Sequence, residues 1–236
     1  QAIRVAVPSS AVRDRLIAKL VVDPDHIDVV PWPVAPSSPT DPTEIAAQLA
    51  ELGIVAPYIL YPAIAYPHKR HTLLVDAWTA ARQRGVETDL VLSGRPGPCL
   101  DDAVAIVRRA GMERHLHVLG RVPHETLDAL YRGACATVFP SAYEGFGLPV
   151  AESLQRGTAV VAAPLPAYDP LMPGILAVDD DAPAAWADAI ERIVDDVGLR
   201  AVLVDRGRPA VASLTPHRAA AAQIASWRRA AGEGRL

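Results

Sequence analysis

Short apolar runs, each closed by a glycine or proline and each followed by a helical pattern, restrict this chain to few folds. Residues 57–61 read as a strand that stops at Pro62, residues 88–92 as one that leads to Gly94, and residues 115–119 as one that ends at Gly120. Ala136-Thr137-Val138-Phe139 stops at Pro140, and Ala159-Val160-Val161-Ala162 and residues 175–178 follow. The intervening segments carry helical spacing, clearest in Leu73, Leu74, Ala77, Trp78 and Ala81. Strands alternating with helices at this rhythm predict an α/β fold with a Rossmann-like, doubly wound parallel sheet. Half of the 236 residues are hydrophobic and only 5% are aromatic, so the expected core is aliphatic, mainly Ala, Val and Leu. Such a composition suits strands covered on both faces. There is no internal repeat.

The first 33 residues stand apart. A strand over residues 3–7, a helix over 11–20 capped by Ser9-Ser10 and a strand over 27–30 precede a segment holding Pro31, Pro33, Pro36, Pro39 and Pro42. That composition predicts a semi-rigid linker. The expected organisation is a remnant of an N-terminal domain over 1–33, a linker over 34–44, a main domain over 45–212 and a terminal helical segment over 213–236. The tail from residue 182 reads as helical, broken near Gly198 and Pro209, and a proline-rich loop follows the strand at 159–162. The length fits one large domain, or one domain with a fragment of another.

The main domain centres on Glu144-Gly145-Phe146-Gly147-Leu148-Pro149-Val150-Ala151-Glu152. A strand, a glycine-rich turn and a helix that opens with proline make an anion site, because proline suits the first helical turn and the free N–H groups there favour phosphate. Glycines at 145 and 147 let backbone approach a ligand closely. Glu144 precedes the helix and Glu152 lies inside it, so each is expected to face hydroxyl groups rather than phosphate; a carboxylate suits a ribose diol. The plainer reading makes Glu144 a surface charge and Glu152 a partner of the helix dipole.

This stretch closely resembles the Glu-x7-Glu motif of retaining GT-B glycosyltransferases of the family-four, group-1 type. The resemblance covers nearly the whole chain, as the C-terminal, donor-binding half of such an enzyme. It implies that Glu144 lies by the donor sugar, that Gly145, Phe146, Gly147 and Leu148 present backbone to a pyrophosphate, and that Glu152 binds the ribose. It also implies that Lys69 pairs with the phosphates. Pro62-Ala63 stands where the family pattern has an arginine, and His68 is a weaker substitute for it. The turn after the 115–119 strand makes Arg121 and Val122 candidates for backbone contact with the base. Residues 26–34 resemble the segment leading into the family's interdomain hinge, and residues 213–227 its terminal helix, which crosses back onto the acceptor domain. Here that helix is expected to lack a full partner.

Other features read plainly. His115 and His117 share a strand face but have no acidic or thiol partner at metal-ligand spacing, Asp179-Asp180-Asp181 reads as a solvated turn and cap, and His217 opens a surface helix. Cys99 and Cys135 read as reduced thiols. A net charge of −4 and pI near 6.0 argue against a nucleic-acid partner. No run is long enough to span a membrane, and no signal peptide is evident. The chain starts at Gln1 rather than Met, which suggests an upstream segment.

The resemblance therefore implies a retaining hexosyltransferase with Glu144 and Lys69 as catalytic residues. A nucleoside diphosphate sugar is its substrate, with no metal and no other cofactor. A glycan or lipid-linked acceptor and an N-terminal GT-B domain are the implied partners. Placement is cytoplasmic, with membrane contact through that domain. The Tyr61-Pro62 to Pro67-His68-Lys69 pattern resembles some mannosyl- and other hexosyltransferases, which brings GDP-mannose forward while base, sugar and acceptor stay open. The alternative is a nucleotide-sugar-binding module without turnover. A sugar-nucleotide epimerase is disfavoured by the Glu144–Glu152 motif, and a dinucleotide binder by the absence of GxGxxG.

Overall fold

The computed structural model describes residues 4–20, 22–35, 41–55 and 57–232. Part of the expected linker, residues 36–40, lies outside the described residues, as does Ile3 of the first strand. A parallel pair, β1 (Val5–Val7) and β2 (Ile27–Val29), is joined through α1 (Ser10–Leu20). Helix α2 (Pro42–Glu51), capped by Asp41, leads to the main sheet.

That sheet contains β3 (Tyr58–Pro62), β4 (Asp89–Ser93), β5 (Leu116–Gly120), β6 (Ala136–Phe139), β7 (Ala159–Ala162) and β8 (Ile175–Ala177). The strands are parallel, in the order β5-β4-β3-β6-β7-β8. Helices α3 (His71–Gln83), α4 (Leu100–Arg109), α5 (His124–Gly133), α6 (Leu148–Gln155), α7 (Pro183–Asp195) and α8 (Val197–Ala212) form the connections and outer layers. Strand pleating divides the core. Ile59 and Tyr61 pack with Leu74 and Trp78 of α3, whereas Tyr58 and Leu60 pack with Leu49 of α2 and Leu130 and Tyr131 of α5. Apolar side chains therefore cover the central strand on both faces, as a doubly wound sheet requires.

The core is mainly aliphatic, as expected, with Trp78, Trp186, Tyr58, Tyr61, Tyr131 and Tyr168 among its largest fully buried side chains. Two expectations need correction. The segment after β7 is not a loop: residues Pro166–Gly174 form 3-10 turns that bury Ala167, Tyr168 and Leu171. Tight turns with i→i+3 bonding accommodate Pro166, Pro170 and Pro173 where an α-helix would not. Nor does Pro209 break α8, which runs on to Ala212; only the break at Asp196 is real, where its side chain caps α8 through Leu199 N. Pro209 lacks the N–H that would bond Asp205 O, and the helix continues for only three residues beyond it.

The terminal helix α9 (Pro216–Ala230) meets β2 through polar contacts but buries only Ser226 and leaves Trp227 exposed. Buried Asp28 on β2 accepts from Ser226 Oγ at 2.8 Å and Arg229 Nε at 3.0 Å, and from Arg4 Nε at 2.7 Å. Among the described residues no helix is long and apolar enough to cross a membrane.

Candidate functional site

Strands β3 and β6 lie side by side, but β3 connects outward to β4 and β6 connects the other way to β7. Their following loops part at this reversal and leave a crevice beyond the strand ends, the usual ligand position in open α/β sheets. The loop after β3 carries Lys69, in a 3-10 turn Pro67–Lys69; the loop after β6 carries Glu144. Lys69 Nζ donates to Glu144 Oε1 at 2.5 Å, and the two side chains are only 17% and 13% exposed. The Tyr61 hydroxyl fixes the turn by donating to Lys69 O at 2.6 Å, and Ala142 N donates to His68 O at 2.8 Å, tying loop to loop. Arg70, next in sequence, has φ +53°. For a non-glycine residue that is an uncommon geometry, and the Arg70 side chain pairs with Asp181. The acidic turn is solvated as expected, with Asp181 75% exposed, but it does not cap the helix that follows: Asp180 accepts from Ala182 N at 2.7 Å and α7 has no side-chain cap.

In the motif loop the two glycines differ. Gly147 has φ +89° and caps α6, and a Cβ there would stand 2.5 Å from the Tyr168 ring, so glycine is required. At Gly145 a Cβ would meet nothing closer than Val12 Cγ2 at 3.9 Å, so sterics do not demand glycine. Its carbonyl is instead engaged: Ser9 Oγ donates to Gly145 O at 2.6 Å while accepting from Val12 N at 3.2 Å as the cap of α1. Trp32 packs on Phe146 with ring centroids 6.0 Å apart, and the Arg15 guanidinium lies 4.1 Å above the Tyr143 ring. The segment before the sheet thus holds the motif loop at several points. Pro149 in the first turn of α6 has no N–H, and Ala151 N bonds to Gly147 O, so Leu148 and Val150 supply the outward-facing donors.

Glu152 lies inside α6, and the Tyr131 hydroxyl donates to its Oε2 at 2.9 Å. Burial pushes the Tyr131 phenol up, the Glu152 charge adding to it, so Tyr131 stays a donor. Arg156 stacks over the same ring at 5.1 Å and binds Asp128 at 2.6 Å.

The remaining predicted residues are placed less centrally. Arg121 is exposed and Val122 half-buried in the turn after β5. They share the sheet edge with Lys69 and Glu144 but stand three strand spacings from β6, about 14 Å. The exposed His68 ring stacks on Tyr66 at 6.0 Å. His115 and His117 do have an acidic partner, contrary to the sequence reading: Asp89 on neighbouring β4 bonds both rings, at 2.8 and 2.9 Å. Strand pairing, invisible in linear spacing, brings it there; His115 sits in the 3-10 turn before β5 rather than on the strand. Among the described residues no cluster suits a metal, and both cysteines are free thiols. Ser9, Trp32, Tyr131 and Tyr168 are site neighbours that sequence reasoning missed; only Ser9 had a signal, as a helix cap.

Beside Glu144 a cavity of about 400 Å³ opens between α1 and the sheet edge, lined by Asp14, Arg15, Tyr143 and residues 165–167. Another, of about 370 Å³, lies at the opposite end of α6 against Val34 and α8 and includes none of the motif's charged groups.

The family model described as Glycosyl transferases group 1 matches residues 56–196. The chain belongs to this family. As a group-1 glycosyltransferase chain it is 32% identical to the O-antigen chain mannosyltransferase B of Escherichia coli over 189 residues, 78% of this chain and 46% of that protein. It is 34% identical over 172 residues to a D-inositol 3-phosphate glycosyltransferase of Salinispora arenicola, 68% of this chain and 38% of that one. The chain spans about half the length of the curated relatives it matches. Its fold is that of a glycosyltransferase from Rickettsia africae, with a TM-score of 0.84 at 16% identity over 96% of this chain and 63% of that one. A sucrose-phosphate synthase from Thermosynechococcus elongatus gives 0.76 at 23% identity, covering 100% and 60%. The group-1 resemblance read from the Glu144–Glu152 motif and the predicted Rossmann-like α/β fold are thereby established.

Proposed function

We propose that this chain supplies the donor site of a retaining hexosyltransferase whose substrate is a nucleoside diphosphate sugar. The observation that carries this reading is the Lys69–Glu144 pair at the sheet's reversal point, beside the N-terminus of α6. An anion needs donors and positive charge together; Leu148 and Val150 N–H groups, the helix dipole and Lys69 supply both. In transfer, the same groups offset charge growing on the departing diphosphate, a preorganised electrostatic contribution. Glu144 orients the sugar and stabilises positive charge developing on it. Glu152, held by Tyr131, accepts hydroxyl protons from the ribose, and the backbone at Arg121 and Val122 lies where an extended ligand would place its base. The cavity between α1 and Glu144 is positioned for the acceptor's sugar, with the Asp14 carboxylate and Arg15 guanidinium as hydroxyl partners. The mannosyltransferase relative favours GDP-mannose as the donor.

A second reading is a binding module without turnover.

The test is calorimetric titration with UDP, GDP and ADP, alongside Glu152→Ala. Binding of one nucleotide, weakened in the variant by about 1–3 kcal/mol, is the expected result. A folded sample that binds none of them refutes the donor site. Release of GDP from GDP-mannose, measured with and without a mannoside acceptor, separates enzyme from module.

A further inference from the structure

We propose that Tyr168 is a positioning residue that takes over the Glu144 carboxylate when a diphosphate draws Lys69 away from it. The inference rests on the donor-site reading above. Tyr168 is fully buried in the turns after β7, with its ring against Gly147. Its hydroxyl makes no hydrogen bond of normal geometry among the described residues, although the Ser141 and Glu144 side chains lie close enough to act on it. A buried hydroxyl without a partner destabilises a fold, so its retention calls for a cause.

The neighbouring phenol has no such freedom. Tyr61 already donates to Lys69 O and stands 3.4 Å from Ser141 Oγ. Lys69 itself is committed to Glu144 at 2.5 Å. A phosphate group carries more charge than a carboxylate and competes for Lys69 Nζ, and as Lys69 turns, Glu144 would be left as a largely buried charge short of a donor. Leaving one member of such a pair uncompensated is strongly unfavourable. Tyr168 removes that obstacle. Burial first, and the Glu144 charge second, keep its proton on well above the usual phenol range, so it keeps a hydrogen to donate. It belongs to the same buried cluster as Ala167 and Leu171.

The test is Tyr168→Phe, alone and in a Glu144→Gln background. The readouts are thermal midpoint and calorimetric affinity for whichever of UDP, GDP and ADP the unaltered chain binds. Removing an unpartnered hydroxyl should leave the midpoint unchanged or raise it while weakening nucleotide affinity about tenfold. In the Glu144→Gln background no carboxylate needs a partner, and the same substitution should change affinity less than about twofold. A merely structural tyrosine would lower the midpoint. That result, unchanged affinity in Tyr168→Phe, or equal weakening in both backgrounds overturns the proposal. If the unaltered, folded chain binds no nucleoside diphosphate, the donor-site reading falls and this inference with it. Binding by the unaltered chain with equal binding by Tyr168→Phe sinks this inference alone.

Discussion

Ser9 and Gly145, 136 positions apart in sequence, are joined by a 2.6 Å hydrogen bond from the Ser9 hydroxyl to the Gly145 carbonyl. One oxygen thereby caps α1 and fixes the loop that presents Glu144. The segment before the sheet is part of the site's scaffold rather than an appendage.

Replacing Ser9 with Ala should therefore cost more than an ordinary helix cap. The cap alone contributes about 1 kcal/mol, and the bond to Gly145 adds a similar amount. Urea denaturation should show a lower midpoint, and calorimetry a weaker nucleoside diphosphate complex. If stability falls while affinity is untouched, the link between segment and loop has no bearing on binding.

Tyr131→Phe tests the support beneath Glu152. The variant leaves the ring packing and removes one donor to Oε2, so nucleotide affinity should drop by about 1 kcal/mol, roughly fivefold. A loss equal to that of Glu152→Ala would show that the tyrosine, not the carboxylate, dominates.

Gly147→Ala should be the most damaging single change in the motif loop. It combines a φ of +89° with a Cβ placed 2.5 Å from the Tyr168 ring. Together these should cost about 2–4 kcal/mol by chemical denaturation and abolish nucleotide binding. Gly145→Ala, whose Cβ would make only an ordinary contact with Val12 Cγ2 at 3.9 Å, serves as the stability control and should cost under about 1 kcal/mol.

Stability should decline with acid in two windows. His71, 1% exposed, has its pKa lowered from 6.5 to about 4, chiefly by burial, with the Lys69 charge adding to it. The unfolded chain thus takes up a proton that the native state refuses. Stability falls as pH drops from 6.5 to about 4, by on the order of 3 kcal/mol. Asp28 is shifted down, first by its hydrogen bond to Arg4, then by Ser226 and Arg229, against the opposing effect of burial. Its contribution is complete above the ordinary carboxylate value and is lost as pH falls below about 4. Denaturation midpoints against pH should flatten between 4 and 6.5 in His71→Gln, and below 4 in Asp28→Asn. Unaltered slopes would mean that neither group governs the acid limb.

Much of this was legible in the residues themselves. Strand runs stopping at Gly94, Gly120 and Pro140 announced the sheet, because backbone turns there demand particular residue types. The Glu144–Glu152 stretch announced a strand–loop–helix turn, which β6 and α6 form. What escaped was whatever depends on residues distant in sequence. Asp89 meets His115 and His117 only because β4 and β5 pair in one register. Tyr168 reaches the motif because a proline-rich stretch, which composition marks as a loop, winds into 3-10 turns against it. The second bond of Ser9 is invisible for the same reason: capping is local, while Gly145 arrives through tertiary packing.

The strand order has a consequence for how the site comes into being. β3 and β6 pair through Ile59 with Ala136 and Leu60 with Thr137, so the central seam closes a long loop that contains β4 and β5. Closing so long a loop is entropically costly and tends to be late and slow. Lys69 and Glu144 ride on the two sides of that seam and meet only once it has formed. With the donor site as proposed, ligand affinity would be an all-or-none reporter of topology: a refolding chain would gain it when its two halves join, and no partially assembled sheet should show any.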